Sequence, residues 1–194
     1  IDDSNIKLNS FDKVKNENYL FLNISILKNA EPDEIEIDFY NGEVIVDKYV
    51  FSLLEREKNA SNVEGFNNSD VMYLITPDRF ANGDPLNDDI KEMYERPNRD
   101  YNRGLHGGDI QGVINNLDYI KDLGFTTVWV NPVLENNMKK SSYHGYSTTD
   151  YYKVDPRFGS NELFKELSVK SKEKGIKLVM DLIPNHCGSE HWFF

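Results

Sequence analysis

Gln111-Gly-Val-Ile-Asn-Asn-Leu-Asp-Tyr-Ile-Lys-Asp-Leu-Gly-Phe-Thr-Thr-Val-Trp-Val130 changes its period part-way along. Up to Leu123, the apolar residues Val113, Ile114, Leu117, Ile120 and Leu123 recur at helical spacing and so share one face of a helix. Gly124 stands where a glycine closes a helix. Thr126 to Val130 is then β-branched and aromatic, the composition of a strand. The same alternation continues in both directions. Val71 to Ile75 is a short apolar run before this unit, and Ile176 to Ile183 is another after it. Between them, Ser160 or Asn161 is placed to cap a helix running to about Lys174, with Leu163, Phe164 and Leu167 on one face and Gly175 at its end. Strand, helix, strand, helix, strand predicts α/β architecture with parallel pairing. Periodicity alone leaves an open doubly wound sheet and a closed eight-stranded barrel both available.

Upstream the pattern is different. Leu20, Leu22, Ile24 and Ile26 alternate, as do Ile35, Ile37 and Phe39, and Val44 to Leu54 is again rich in strand formers. Asn41-Gly42 lies between two such runs and predicts a tight hairpin turn there. Residues 1–60 are therefore expected to form part of a β-sandwich, residues 61–70 a polar linker, and residues 71–194 the α/β region.

Composition narrows the function classes. The net charge is −11, which argues against nucleic acid, since that partner needs clustered cations. An acidic surface suits a neutral substrate, and it suits calcium. No apolar run approaches the ~20 residues of a membrane span. No basic, apolar leader precedes the first strand, and cytoplasmic, periplasmic and secreted locations all stay open. Cys187 is the only cysteine, so no internal disulfide is expected. Neither a Gly-x-Gly-x-x-Gly run nor a P-loop follows the first strand, so nucleotide binding has no support.

The unusual residues lie in the loops after the strands. Asn82, Asp84, Asn87 and Asp88 crowd into seven positions broken by Gly and Pro. That segment reads either as a solvated Asx-rich turn or as a source of hard oxygen ligands for calcium. His106-Gly-Gly-Asp109 follows, with Asp109 set to cap the helix at 111 while keeping one carboxylate oxygen free. Tyr143-His-Gly-Tyr-Ser-Thr-Thr-Asp150 is aromatic and polar, suited to packing or to stacking on a sugar ring. Asp155-Pro-Arg-Phe-Gly159 reads as a turn and supporting contact. Asp181-Leu-Ile-Pro-Asn-His-Cys187 leaves the third strand at the end where parallel α/β proteins keep their sites. Zinc at His186 and His191 is disfavoured, because a separation of five does not share a helical face.

Taken together these stretches resemble the alpha-amylase family, glycoside hydrolase family thirteen. Asp181-x-x-x-Asn185-His186 is similar to its first signature region. The order of Met72-Tyr-Leu-Ile-Thr-Pro-Asp-Arg-Phe-Ala-Asn-Gly-Asp84, His106-Gly-Gly-Asp-Ile-Gln-Gly112, Asn131-Pro132, Tyr143-His-Gly-Tyr146 and Asp155-Pro-Arg-Phe-Gly159 matches as well. The first two of these stretches are nearest the neopullulanase and cyclomaltodextrinase branch. The resemblance implies that residues 71–194 are the first three strands of a TIM-type (β/α)₈ barrel, preceded by part of an immunoglobulin-like domain. It implies retaining hydrolysis of α-1,4, and sometimes α-1,6, bonds in starch-derived oligosaccharides, pullulan or cyclodextrins. Asn82, Asp84, Asn87, Asp88, the Gly107 carbonyl and Asp109 resemble that branch's structural calcium site. Tyr146 resembles the tyrosine under the sugar at the cleavage point, His186 the histidine on its hydroxymethyl oxygen, and His144 is expected nearby. Asp181 and Asn185 would orient neighbouring loops. Pro184 departs from the family pattern, and a proline in a parallel strand loses a ladder bond.

Retaining glycosidases need two carboxylates about 5 Å apart. In the family these come from the fourth and fifth strands, with a third acid from the seventh. Residues 1–194 are expected to carry none of them, so no catalytic acid is assigned and the segment alone is expected to be inactive. A non-catalytic carbohydrate-binding protein on the same barrel is the alternative, and a calcium-dependent structural module a third. Monomer and homodimer both remain open.

Overall fold

The computed structural model describes residues 5–15, 19–56, 58 and 65–194. It divides into two compact units, Ile1–Val63 and Glu64–Phe194. Positions 61–64 of the expected linker lie outside the described residues.

The first unit holds two antiparallel hairpins. Strand β1 (Ile6–Lys13) pairs with β2 (Leu20–Ile26), and β3 (Asp33–Asn41) with β4 (Val44–Leu53). Ile35 and Ile37 are buried while Glu34 and Glu36 face out, the period of two read in the sequence. The hairpin turn sits one residue later than expected. Asn41 pairs with Val44, so the loop is Gly42-Glu43, and Gly42 alone takes a positive φ of 65°. A single positive φ at the first loop position is the type II′ requirement, and glycine meets it without steric cost.

The second unit is built on a parallel sheet in the order β5 (Met72–Ile75), β6 (Thr127–Val130), β9 (Lys177–Met180). After β5 comes the single turn α1 (Pro77–Phe80), and α2 (Ile110–Asn115) and α3 (Leu117–Asp122) lead into β6. The short antiparallel pair β7 (Leu134–Glu135) and β8 (Asp150–Val154) follows, then α4 (Asn161–Glu173). One face of the sheet presents Ile75, Val128, Val130 and Leu178 to Ile110, Val113, Leu117 and Leu167 of the helices. Leu74 and Trp129 are paired in register on the other face and are 54% and 38% exposed.

Two boundaries differ from the sequence reading. The helix expected over 111–123 is two helices. Asn116 donates its Nδ2 to the Gly112 carbonyl at 2.7 Å and leaves helical geometry, a short polar side chain competing with the backbone. The strand expected over 176–183 ends at Met180, and one further bond, from the Asp181 N–H to the Val130 carbonyl, completes the ladder before Pro184 is reached. The caps behave as read: Ser160 Oγ accepts from the Leu163 N–H, and Asp109 accepts from the Gly112 N–H.

At the lower end of the sheet, Asp70 ties the three strands together. Its carboxylate takes bonds from the Asn67 N–H, the Lys177 ammonium and the Thr126 hydroxyl, which hold its pKa down at about 2. Among the described residues no helix is long and apolar enough to cross a membrane.

Candidate functional site

Three loops leave the upper, C-terminal ends of β5, β6 and β9, and the singled-out residues lie on them. The first, from Thr76 to Asp109, folds back over the start of α2. Gly112 makes this possible: a Cβ there would stand 1.9 Å from the Ala81 carbonyl oxygen, so only glycine admits that backbone. Asp109 is fully buried. Its Oδ1 accepts from the N–H groups of Gly83 at 3.0 Å and Gly112 at 2.6 Å. Its Oδ2 accepts from the Asp84 N–H at 2.8 Å and Asn87 Nδ2 at 3.1 Å. The expectation that one oxygen stays free after capping is therefore corrected. The doubled-back chain brings three donors to Asp109 besides the helix N–H.

The other expected calcium ligands gather beside it. Asn82 Nδ2 donates to Asp88 Oδ1 at 2.7 Å. Asp84 Oδ1 accepts from the Leu86 N–H, and a Cβ on Gly107 would lie 2.5 Å from Asp88 Oδ1. Asn87 is buried, and its Oδ1 has no hydrogen-bond partner. An orphaned buried amide oxygen amid carboxylates is a feature that a hard cation would satisfy, so the donor chemistry fits calcium. Among the described residues no group of three or more His, Cys, Asp and Glu is placed to hold a metal. A cation here would thus depend on amide and carbonyl oxygens as much as on charge. Behind the loop, buried Asp78 accepts from the His106 and Gly107 N–H groups and pairs with Arg79 at 3.0 Å. Burial raises its pKa, against the lowering effect of those N–H groups and of Arg79. An open cleft of about 270 Å³ runs along this loop past Asp78, Arg79, Asn82 and Arg99; it does not reach Tyr146.

The second, within the excursion that follows β6, joins β7 to β8. Ser141 takes a left-handed φ of 61°, the residues Ser142–His144 form a tight turn, and Tyr146 follows. His144 Nδ1 accepts from the Tyr146 N–H at 2.9 Å, and the two rings lie 5.6 Å apart. Burial lowers the His144 pKa, while the Glu95 charge opposes that shift; the neutral ring is the form that can accept. Arg79 lies 4.2 Å over the Tyr143 ring, so the first loop touches the second here.

The third loop follows β9. Asp181 Oδ2 accepts from the Tyr146 hydroxyl at 2.9 Å and from Trp129 Nε1 at 3.3 Å. Burial first, and then this bond, raise the Tyr146 pKa. His186 Nε2 meets the Tyr146 carbonyl at 2.9 Å, and its Nδ1 meets Asn185 Nδ2 at 3.0 Å. Both ring nitrogens are thus engaged inside the protein. The expectation that His186 presents a nitrogen to a sugar hydroxyl is corrected for this conformation. His186 is exposed, and after the sheet ends at Met180 its ring reaches back to the Tyr146 main chain. Asn185 supports His186 itself and not a neighbouring loop.

The structure thus joins Tyr146, His144, His186, Asp181 and Asn185 in one cluster, and Asn82, Asp84, Asn87, Asp88, Gly107 and Asp109 in another. The sequence reading missed Glu95, whose carboxylate accepts from the Ser141 and Ser142 N–H groups at 2.9 and 2.6 Å. It also gave Asp155 and Arg157 too small a part. They are a buried pair at 2.7 Å, and Arg157 reaches the carbonyls of Glu95 and Asn136.

Residues 74–194 match the family model for the alpha amylase catalytic domain, and residues 1–57 match that for the cyclomaltodextrinase N-terminal region. The chain belongs to the alpha-amylase family. It is 40% identical over 126 residues to a cyclomaltodextrinase of Thermoanaerobacter pseudethanolicus, covering 64% of this chain and 21% of that protein. It is 38% identical over 125 residues to neopullulanase 2 of Thermoactinomyces vulgaris, again covering 64% of this chain and 21% of the relative. Among solved structures, an Anoxybacillus alpha-amylase matches with 40% identity and a TM-score of 0.57, over 64% of this chain and 26% of that one. The chain therefore spans about a fifth of the length of these curated relatives, and it corresponds to the N-terminal region of the cyclomaltodextrinase and neopullulanase branch.

Proposed function

We propose that the polypeptide containing these residues is a retaining α-glucan hydrolase. It cleaves α-1,4, and in some substrates α-1,6, glucosidic bonds in starch-derived oligosaccharides, pullulan or cyclodextrins. The observation that carries this reading is the Tyr146 cluster. A tyrosine is held by its hydroxyl on Asp181 at 2.9 Å, with His144 and His186 beside it, at the upper ends of parallel strands. An anchored hydroxyl and a neighbouring histidine fix the ring plane, and a flat ring face is what stacks on a pyranose.

In this reading β5, β6 and β9 are the first three strands of a closed eight-stranded barrel. The apolar sheet face carrying Leu74 and Trp129, opposite the helices, supports it, since barrel closure would bury that face. The paired carboxylates of retaining chemistry would come from strands other than β5, β6 and β9. Asp181 serves instead to orient Tyr146 and Trp129. Calcium would be held by Asn82, Asp84, Asn87, Asp88 and the Gly107 carbonyl, while Asp109, whose oxygens are taken by four donors, shapes the loop that carries them. The cation's contribution is to brace the loop after β5.

The test is hydrolysis of maltohexaose by the full-length polypeptide, with the anomer of the first product read by NMR. Release of α-configured maltose or glucose supports the proposal. Sugar binding without turnover would replace it with a carbohydrate-binding protein, and neither binding nor turnover would end it.

A further inference from the structure

Glu95 sits in the long excursion between β5 and α2, 46 residues before the turn it contacts. Its two carboxylate oxygens accept from the consecutive N–H groups of Ser141 and Ser142, at 2.9 and 2.6 Å. Ser141 is the only described non-glycine residue with positive φ, at 61°. L-residues other than Gly, Asn and Asp seldom adopt that geometry, so something must hold Ser141 there. The segment around Glu95 is itself pinned. The Tyr94 N–H donates to Asn137 Oδ1 at 2.8 Å, and buried Arg157 donates to the Glu95 carbonyl at 3.2 Å. His144 and Tyr146 follow the held pair within one short turn.

We infer that Glu95 is a positioning residue for sugar recognition: its carboxylate clamps the Ser141–Ser142 backbone and thereby sets the direction in which His144 and Tyr146 are presented. The inference rests on the substrate reading given above. Glutamine at this position keeps one acceptor and turns the other into a donor facing an N–H. Glu95→Gln in the full-length polypeptide should therefore lower kcat/KM for maltohexaose about tenfold, the scale of a lost charge-assisted bond. Thermal melting should move by only a few degrees, because Arg157 still holds the Glu95 backbone.

The decisive variant is the double one. Glycine reaches positive φ freely, so Ser141→Gly in the Glu95→Gln background should recover most of the lost kcat/KM. A role in general stability predicts instead that melting falls with kcat/KM in Glu95→Gln and recovers in step with it in the double variant. Parent-level kcat/KM in Glu95→Gln, or a loss that Ser141→Gly leaves in place, overturns the inference while the substrate reading stands. A parent polypeptide that neither binds nor cleaves maltohexaose overturns the substrate reading, and this inference with it.

Discussion

Asp109 and Tyr146 crown the same end of one sheet, yet they are held in different ways. Asp109 is fully buried and takes four bonds, all from residues 83 to 112. Tyr146 is half-buried and leans on two groups brought from elsewhere, Asp181 on its hydroxyl and His186 on its carbonyl, with His144 of its own loop on its N–H. A group enclosed by its own loop sets the shape of that loop. A group propped from outside keeps one face free for a ligand. The first arrangement serves stability and the second recognition, so substitutions in the two regions should separate these properties.

The largest separation is expected at Asp109. Asp109→Ala leaves four donors unmatched in a buried place, and should lower stability by about 4 kcal/mol. Calorimetry of the full-length polypeptide measures this, and a shift under 1 kcal/mol would remove the contrast. Tyr146→Ala should do the reverse. It should cut kcat/KM for maltohexaose about a hundredfold, near 2.7 kcal/mol, with little change in melting. Equal losses in both would make Tyr146 a packing residue. Calcium sharpens the first arm further. At a free concentration about ten times its Kd, it should raise stability by about 1.4 kcal/mol over chelator, and Asp84→Ala should abolish the difference. Identical melting of the parent in calcium and in chelator would refute the calcium assignment.

Acid should affect the Tyr146 cluster and the lower end of the sheet in different ranges. Burial lowers the His144 pKa, so the folded protein favours the neutral ring, and the Tyr146 N–H bond is present at neutral pH. As pH falls from about 6.5 through that lowered pKa, the ring protonates and the bond is lost. Maltohexaose affinity should then fall about threefold, with His144→Gln removing the dependence. Asp70 gives the smallest effect. Its folded pKa of about 2 lies below the ordinary 3.8, so its contribution is present above 3.8 and fades as pH drops toward 2. Melting in that range should be less acid-sensitive in Asp70→Asn.

Much of the sheet was legible because its signals are local. Thr126 to Val130 is β-branched and aromatic, and Asp109 precedes a helical apolar pattern. Strand β1 was not legible, since seven of its eight residues are exposed and little alternation survives. The break at Asn116 was hidden because apolar spacing runs straight through it. In the site, side-chain types marked Tyr146 and Asp181. Glu95 left no such mark: its partners are two backbone N–H groups, which no residue type announces. The occupied nitrogens of His186 depend likewise on where a distant carbonyl falls.

The contact of Gly112 with Ala81 has a consequence for the order of assembly. A Cβ at Gly112 would strike the Ala81 oxygen at 1.9 Å, and one at Gly108 would strike the Pro77 oxygen at 2.1 Å. The two stretches thus meet main chain to main chain, some thirty residues apart in sequence. During synthesis, the segment from Pro77 to Asp84 has nothing to close against until Gly112 has left the ribosome. At a usual pace of about 5–20 residues per second, that interval lasts a few seconds. For that time Asn82, Asp84 and Asn87 lack the Asp109 carboxylate and the start of α2 that later enclose them, and the latch shuts only once α2 has formed.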